Sequence, residues 1–200
     1  MTPLGEAQPH QQQTLFTCGA TCLLAIAEDY GVTGLDEAAV ARLIGVTQDG
    51  AYPVQLVRAA RQLGFPAEER RFRSLAEAKA VTDQGLPIIA NILSFTQPGG
   101  GHFVVITKID DAGVHLMDPN VPGNRRLLTH DEMMARWRTR RGSGVVVARR
   151  SAALGASEVP ERRWPLVASL LLLASAGGLA VGLSARRGRR RTASRAPPHW

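Results

Sequence analysis

Apolar residues follow a helical spacing in the first half of the chain and form strand-like runs in the second. From residue 18 to about residue 81, apolar positions recur between helix start and stop signals. This pattern predicts helices over residues 18–30, 37–44, 53–63 and 75–81. The start signals are Asp36 as a cap for helix 37–44, Pro53 for helix 53–63, and a Ser74–Glu77 capping box for helix 75–81. The first three helices are followed by the stop residues Gly31, Gly45 and Gly64.

Short β-branched apolar runs dominate the second half and are typical of strands. They predict strands at residues 87–93, 102–109, 114–117 and 144–148. A second capping box, Thr129 with Glu132, begins a helix that contains Met133, Met134 and Trp137. Helices followed by strands indicate an α+β fold with N-terminal helices packed on an antiparallel sheet. The mixed charges of Glu68, Glu69, Arg70, Arg71 and Arg73 predict a solvated face.

A segment of 22 residues without a charge, 164–185, lies near the C-terminus. About 20 apolar residues span a bilayer, and Trp164 and Arg186 fit an interfacial aromatic residue and a cationic stop. We therefore predict a membrane protein with a single transmembrane helix over this segment. The predicted organisation is a polar N-terminal segment 1–13 carrying Gln12, a globular domain 14–150, a linker 151–163, the helix 164–185, and a basic disordered tail 186–200.

The arginines around this apolar segment give conflicting indications of topology. Six follow it and two precede it, which places the tail in the cytoplasm and the domain outside. Residues 1–13 have neither a cationic start nor an apolar run, so no secretory signal is evident for exporting the domain. Two alternatives are a domain retained in the cytoplasm and a C-terminal sorting tail that is cleaved on export.

The positive charge of the protein belongs almost entirely to its C-terminal part. Of the formal charge of +7, residues 151–200 contribute +6 and the other 150 residues +1. A nearly neutral domain offers no electrostatic basis for binding nucleic acid, so we predict no nucleic-acid partner.

The two cysteines, Cys18 and Cys22, lie four residues apart on the first predicted helix. A disulfide between them would close a very short loop and stabilise little. Two cysteines alone make a poor zinc site, and neither a metal nor another cofactor is predicted. A reactive thiol and a pair of buried apolar residues are the two interpretations that this spacing leaves open.

Cys18 is the candidate for reactivity because it begins the predicted helix. The unpaired N–H groups and the dipole at a helix N-terminus favour the thiolate, which is the nucleophilic form. Gly19 would let a substrate backbone approach closely. The side-chain amide of Gln12, six residues upstream, could join the Cys18 N–H in stabilising an oxyanion.

Two further residues fit a catalytic role beside this thiol. His102 opens an apolar strand after three glycines, and imidazole is the natural base for a thiol. Asp118 follows the next strand and could fix the tautomer of His102. If the two strands form a hairpin, both side chains lie at the same end of the sheet; a turn residue before Pro119 is the alternative interpretation of Asp118.

Together these motifs resemble the peptidase C39 family. The resemblance consists of Gln12, five residues, then Cys-Gly-Ala-Thr-Cys-Leu at the helix start, with His-Phe-Val-Val-Ile 84 residues after Cys18 and Asp-Pro 16 residues after His102. Gly123, Arg125, Leu128 and the helix containing Trp137 continue the similarity, which covers residues 8–149.

This resemblance implies a papain-like fold and a cysteine peptidase. Cys18 would be the nucleophile, His102 the general base, Asp118 the orienting carboxylate and Gln12 the oxyanion donor, and Gly19 and Gly101 are assigned to substrate binding. Family members attached to ABC exporters cut leader peptides after a double glycine, so a Gly-Gly leader peptide and an exporter are the expected partners. Acyl transfer or deamidation by the same residues, and leader binding without cleavage, are the alternatives.

Overall fold

The computed structural model describes residues 10–149. Its helices are α1 Cys18–Asp29, α2 Glu37–Ile44, α3 Pro53–Gln62, α4 Leu75–Thr82 and α5 His130–Arg138, with a 3-10 turn at Pro122–Asn124. Its strands are β1 Ala67–Arg71, β2 Ile88–Leu93, β3 Gly101–Asp110, β4 Gly113–Met117, β5 Arg125–Leu128 and β6 Ser143–Val147. The predicted α+β fold is therefore confirmed, although β1 precedes α4 and α5 precedes β6.

The six strands form one sheet in the order β1-β6-β2-β3-β4-β5, and every neighbouring pair is antiparallel. Helices cover both of its faces. Along β3, Phe103 and Val105 pack into a core with α1, α2 and α3, whereas Val104 and Ile106 pack into a second core with α4 and α5. This alternation follows from the two-residue period of a strand.

Local sequence signals fix most helix ends. The carboxylate of Asp36 accepts a hydrogen bond from the Ala39 N–H and so caps α2. Gly45 ends α2 in the left-handed region, with φ of 77°. The capping box of Thr129 and Glu132 is present at the start of α5. The helix caps predicted from these residues are therefore present at the observed helix ends.

The sequence analysis missed β1 and β5, which are the two edge strands of the sheet. In β1 only Ala67 is buried, and Glu69, Arg70 and Arg71 are exposed. The charged stretch is thus solvated, as predicted, but it is a strand paired with β6. Charged side chains are common on edge strands, where they discourage pairing with other chains. Because β1 has no run of apolar residues, the apolar pattern did not predict it as a strand.

Within residues 10–149, no helix has both the length and the hydropathy needed to cross a bilayer. The predicted linker 151–163, transmembrane helix 164–185 and basic tail 186–200 lie outside the described residues.

Candidate active site

Cys18 is the first residue of α1, and 8% of its surface is exposed. The helix cap, Thr17, does not cap the helix with its side chain; its hydroxyl donates to the Thr14 carbonyl at 3.1 Å instead. The side chain of Thr17 therefore accepts no hydrogen bond from the N–H groups in the first turn of α1. Such groups stabilise a thiolate or a developing oxyanion.

Gly19 serves the packing of α1. The residue is buried, and a Cβ there would lie 3.2 Å from the Phe103 ring and 3.3 Å from Leu56. This glycine lets α1 approach α3 and β3 closely. The predicted contact between Gly19 and substrate is therefore not supported, because the space for a side chain faces the core.

His102 is the second residue of β3, and only 3% of it is exposed. Its Nε2 lies 2.7 Å from Oδ1 of Asp118, and the side chain of Cys18 is near enough to contribute to raising the pKa of the ring. Since Asp118 holds Nε2, Nδ1 is the ring nitrogen left to face the sulfur. The structure thus brings Cys18 together with a hydrogen-bonded His102–Asp118 pair.

Asp118 follows β4 and is fully buried. Besides His102, its Oδ1 accepts a hydrogen bond from the Asn120 N–H at 2.9 Å, and its Oδ2 accepts one from Nε of Arg126 at 2.7 Å. Its own N–H donates to the Asn124 carbonyl at 2.9 Å. These bonds hold the carboxylate in a single orientation toward the imidazole.

Hydrogen bonds and charges at this site favour a protonated imidazole. Burial alone lowers the pKa of His102, but hydrogen bonds to Asp118 and Cys18 and the charges of both groups raise that pKa to about 9. Burial likewise raises the pKa of Asp118, yet the hydrogen bonds from His102, Asn120 and Arg126 and the charge of His102 hold it below its ordinary value. The protonated ring therefore lies between the carboxylate of Asp118 and the side chain of Cys18.

Cys22 lies one turn further along α1 and is less accessible than Cys18. It is fully buried, and its Sγ donates to the Phe103 carbonyl at 3.3 Å. Burial, and then the charges of Cys18 and Asp118, raise the pKa of the Cys22 thiol well above its ordinary value. Cys22 is therefore held as a thiol with low nucleophilicity.

Gln12 is attached to the same site through its backbone. Its N–H donates to the carbonyl of Pro119, the neighbour of Asp118, at 3.0 Å. Its Nε2 donates to the Thr14 carbonyl at 2.8 Å. An amide nitrogen carries two hydrogens, so one hydrogen of Nε2 is left for another acceptor. This arrangement is compatible with the predicted oxyanion donor.

A cleft of about 210 Å³ opens beside Cys18. It is lined by Leu15, Phe16, Cys18, Gln48, Asp49, Gly50, Ala51, Asn91, Gln97, Gly100, Gly101 and Phe103. Gly101, which was assigned to substrate binding, lies on its wall. Leu15 and Phe16 are 66% and 39% exposed, so the cleft offers apolar surface next to the sulfur.

Sequence reasoning missed two charged residues that organise this region. Arg126 holds Asp118, and its guanidinium lies 3.9 Å from the centre of the Phe95 ring. Glu37, on α2, accepts hydrogen bonds from Gln13 and Thr21. No motif marks either residue; the one available signal for Glu37 was its place in the first turn of a capped helix, where acids are common.

Among residues 10–149, no group of three or more histidine, cysteine or acidic side chains could hold a metal ion.

A buried cysteine at a helix start, with a histidine and an aspartate beside it on an antiparallel sheet, is the arrangement of papain-like cysteine peptidases. The sequence profile of the Peptidase C39 family matches residues 7–149, and the chain belongs to that family. No curated protein matches the sequence.

Solved structures of C39 domains share the fold. The peptidase domain of Streptococcus ComA, a bifunctional ABC transporter involved in quorum sensing, is 18% identical with a TM-score of 0.62, covering 72% of this chain and 98% of that one. A C39-like peptidase from Bacillus anthracis is 16% identical with a TM-score of 0.63, covering 75% and 98%. A double glycine motif protease from an AMS/PCAT transporter, in complex with the leader peptide, is 20% identical with a TM-score of 0.55, covering 74% and 97%.

Proposed function

We propose that this protein hydrolyses a peptide bond with Cys18 as nucleophile. The observation that carries the proposal is the buried hydrogen bond between His102 and Asp118 beside the thiol of Cys18 at the start of α1. A structural histidine needs neither a thiol at a helix start nor a carboxylate held by further donors. Family membership supports the same chemistry.

In the proposed reaction, the Cys18 thiolate attacks the carbonyl carbon of the scissile bond. The oxyanion accepts hydrogen bonds from the Cys18 N–H and the Gln12 amide. His102, as imidazolium, gives its proton to the leaving amine, and a thioester to Cys18 remains. His102 then takes a proton from water, whose oxygen attacks the thioester and releases the new carboxylate and the thiolate.

The substrate we propose is a peptide with a Gly-Gly leader. A related domain carries the name of a double glycine motif protease and was solved with the leader peptide bound. The cleft beside Cys18 is lined by the backbone of Gly100 and Gly101 and by the apolar side chains of Leu15 and Phe16, which suits small residues at the cleavage point and an apolar residue before them. We also propose an exporter as the partner, since Streptococcus ComA is an ABC transporter.

Cleavage of a synthetic Gly-Gly leader peptide by the full chain tests this proposal. In water enriched in ¹⁸O, mass spectrometry should find one cut after the second glycine and heavy oxygen in the new carboxyl group. Cys18→Ala should abolish the cut, and Cys22→Ala, the matched control, should retain it. Gln12→Ala should be slower by about 10²–10³, the usual effect of losing one oxyanion donor.

Other outcomes of this experiment distinguish the alternatives. Equal loss of activity in Cys18→Ala and Cys22→Ala contradicts the assignment of the nucleophile. A product joined to an added amine, without heavy oxygen, indicates acyl transfer. A peptide that binds and stays intact with the wild type indicates a leader-binding domain and contradicts the hydrolase.

We further propose that residues 164–185 attach the protein to a membrane as a single span. The proposal rests on the length of this uncharged segment and on the aromatic and cationic residues at its two ends.

A further inference from the structure

Glu37 is a buried acidic residue that the proposed reaction does not use. It is the first residue of α2 and is 5% exposed. The N–H of Gln13 points between its two carboxylate oxygens, at 3.0 Å and 3.1 Å. The hydroxyl of Thr21 lies 2.9 Å from Oε2.

Packing alone does not explain an acid at this position. A carboxylate is costly to bury unless hydrogen bonds replace its water. The N-terminus of α2 favours a negative charge, and the remaining compensation comes from Gln13 and Thr21. The carboxylate of Glu37 is thus specifically matched to donors on two other parts of the chain.

These contacts fix the backbone on both sides of Gln12. The backbone N–H of Gln12 donates to the Pro119 carbonyl at 3.0 Å. The N–H of the following peptide, that of Gln13, donates to Glu37. With both flanking peptide planes held, the direction in which the Gln12 side chain leaves the backbone is set.

The same carboxylate also reaches the helix that carries the nucleophile. Thr21 lies on α1, three residues after Cys18, and its hydroxyl is shared between Glu37 and the Thr17 carbonyl. Glu37 therefore connects the segment that carries Gln12 to the first turns of α1.

We infer that Glu37 is a positioning residue for the oxyanion donor Gln12. This inference rests on the proposed function, because it assigns Glu37 a role in the same site. Glu37 has no contact with the reacting atoms; it acts through the backbone of Gln12 and Gln13. Its contribution should appear when the oxyanion forms, in kcat more than in KM.

The test is a double-mutant cycle between Glu37→Gln and Gln12→Ala in the full chain, with the Gly-Gly peptide as substrate. Glutamine keeps the shape of glutamate but replaces one acceptor oxygen with a donor that opposes the Gln13 N–H. We expect kcat to fall about 10-fold with KM within about twofold, since hydrogen bonds to charged groups have that magnitude. In the Gln12→Ala background, Glu37→Gln should have almost no further effect.

Glu77→Gln is the matched control. Glu77 is also an acid in the first turn of a helix, α4, and accepts a backbone N–H, that of Arg73, at 3.0 Å, but it is exposed. Its kinetics should equal those of the wild type. Alkylation of Cys18 by iodoacetamide forms no oxyanion, so its rate should be the same in Glu37→Gln and wild type.

Two results would overturn the inference: an equal loss from Glu37→Gln with and without Gln12, or a parallel loss of Cys18 alkylation, since both indicate a general disturbance. Amide hydrogen exchange separates this inference from the proposed function. If the wild type cleaves no peptide, the proposed function fails, and exchange at Gln13 still decides the role of Glu37. Faster exchange in Glu37→Gln supports the positioning role, and unchanged exchange contradicts it.

Discussion

Asp118 shares its buried carboxylate between two cationic partners with opposite effects on the site. Oδ1 holds His102 and Oδ2 holds Arg126, each at 2.7 Å. Against the lowering effect of burial, the first bond contributes, with the charge of Asp118 and the interaction with Cys18, to raising the pKa of His102 to about 9. The bond to Arg126 neutralises part of the negative charge of Asp118 and so weakens the effect of that charge on the imidazole. Since attack needs a thiolate and an imidazolium together, kcat/KM should fall as pH rises through the pKa of His102.

Replacing Asp118 with asparagine should move that alkaline limb to lower pH. Asparagine keeps an acceptor for His102 but removes the negative charge that favours the imidazolium, so the pKa of His102 falls toward its ordinary value of about 6.5. The pH dependence of kcat/KM for the Gly-Gly peptide measures this shift. An alkaline limb that stays near pH 9 in Asp118→Asn would contradict the proposed source of the raised pKa.

Arg126→Met should move the alkaline limb of the pH profile of kcat/KM to higher pH. Loss of the guanidinium leaves Asp118 with more of its charge toward His102, so the pKa of His102 rises, while the freed carboxylate orients the ring less well and kcat falls about 10-fold. Arg126→Lys keeps the charge but loses the planar donor and its stacking on Phe95, 3.9 Å away. The lysine variant should keep the wild-type limb with reduced kcat; an acid shift in Arg126→Met would refute this account.

The residues that react could be predicted from the sequence, whereas those that hold them could not. Cys18 begins a helix with a clear stop, and His102 and Asp118 lie at neighbouring strand ends, so local pattern placed them. Arg126 and Glu37 act across the chain, on partners 8 and 24 residues away. Their neighbourhoods contain other charged residues, and only the tertiary structure distinguishes them from surface charges.

Among the elements, the β3–β4 hairpin determines where Asp118 lies. Val105 pairs with Met117, but Lys108 pairs with His115, so Thr107 is an extra residue in β3. The Thr107 hydroxyl donates to the His115 carbonyl at 3.1 Å beside this bulge. A shift of one residue reverses the faces of a strand, so the bulge sets which side chains at the end of β4 meet His102.

Gly113→Ala tests the importance of this hairpin. Gly113 begins β4 with φ of 136°, and a Cβ there would lie 2.2 Å from the Leu128 carbonyl oxygen of β5. Because backbone must move, we expect a loss of more than about 2 kcal/mol in the free energy of unfolding, with reduced activity. Urea unfolding at pH 7 and peptide cleavage measure the two effects.

Gly34→Ala is the control for backbone strain alone. Its φ is 80°, and a Cβ would have nothing within 4 Å, so about 1–2 kcal/mol should be lost and activity kept. If Gly113→Ala is no more damaging than Gly34→Ala, the close approach of β4 and β5 is not required for the site.

Elements with a regular pattern were predicted to within one or two residues at most ends. The helix after Asp36 and the strands containing Ile89 and Val104 carry caps or apolar runs that do not depend on distant partners. The edge strands β1 and β5 are held by pairing with β6 and β4. Most of their charged side chains are exposed, although Arg126 of β5 reaches Asp118. Strand formation there is a consequence of pairing with the neighbouring strand.

At the scale of the whole molecule, a nearly neutral peptidase domain is followed by a strongly basic C-terminal part with a long uncharged segment. Attachment to a membrane is predicted to depend on residues 164–185 alone. The full chain in cell membranes should therefore resist extraction by alkaline carbonate. The double variant Leu171→Arg, Leu173→Arg should be extracted, because each central charge costs about 3 kcal/mol in a bilayer helix.

Wild-type protein found entirely in the carbonate supernatant would contradict the proposed attachment. Protease protection of sealed cells and vesicles gives the side on which the domain lies. Digestion of the domain in intact cells supports the outside position that the arginine bias predicts. Digestion only after lysis supports a cytoplasmic domain.

The central claim is that His102 activates Cys18 as the nucleophile, and the rate of Cys18 alkylation measures it most directly. Limiting iodoacetamide at pH 7, followed by peptide mapping, should label Cys18 and spare Cys22. An ordinary thiol is only a few per cent thiolate at this pH, so His102→Ala should slow labelling of Cys18 about 10-fold or more. Equal labelling rates in wild type and His102→Ala would contradict the account.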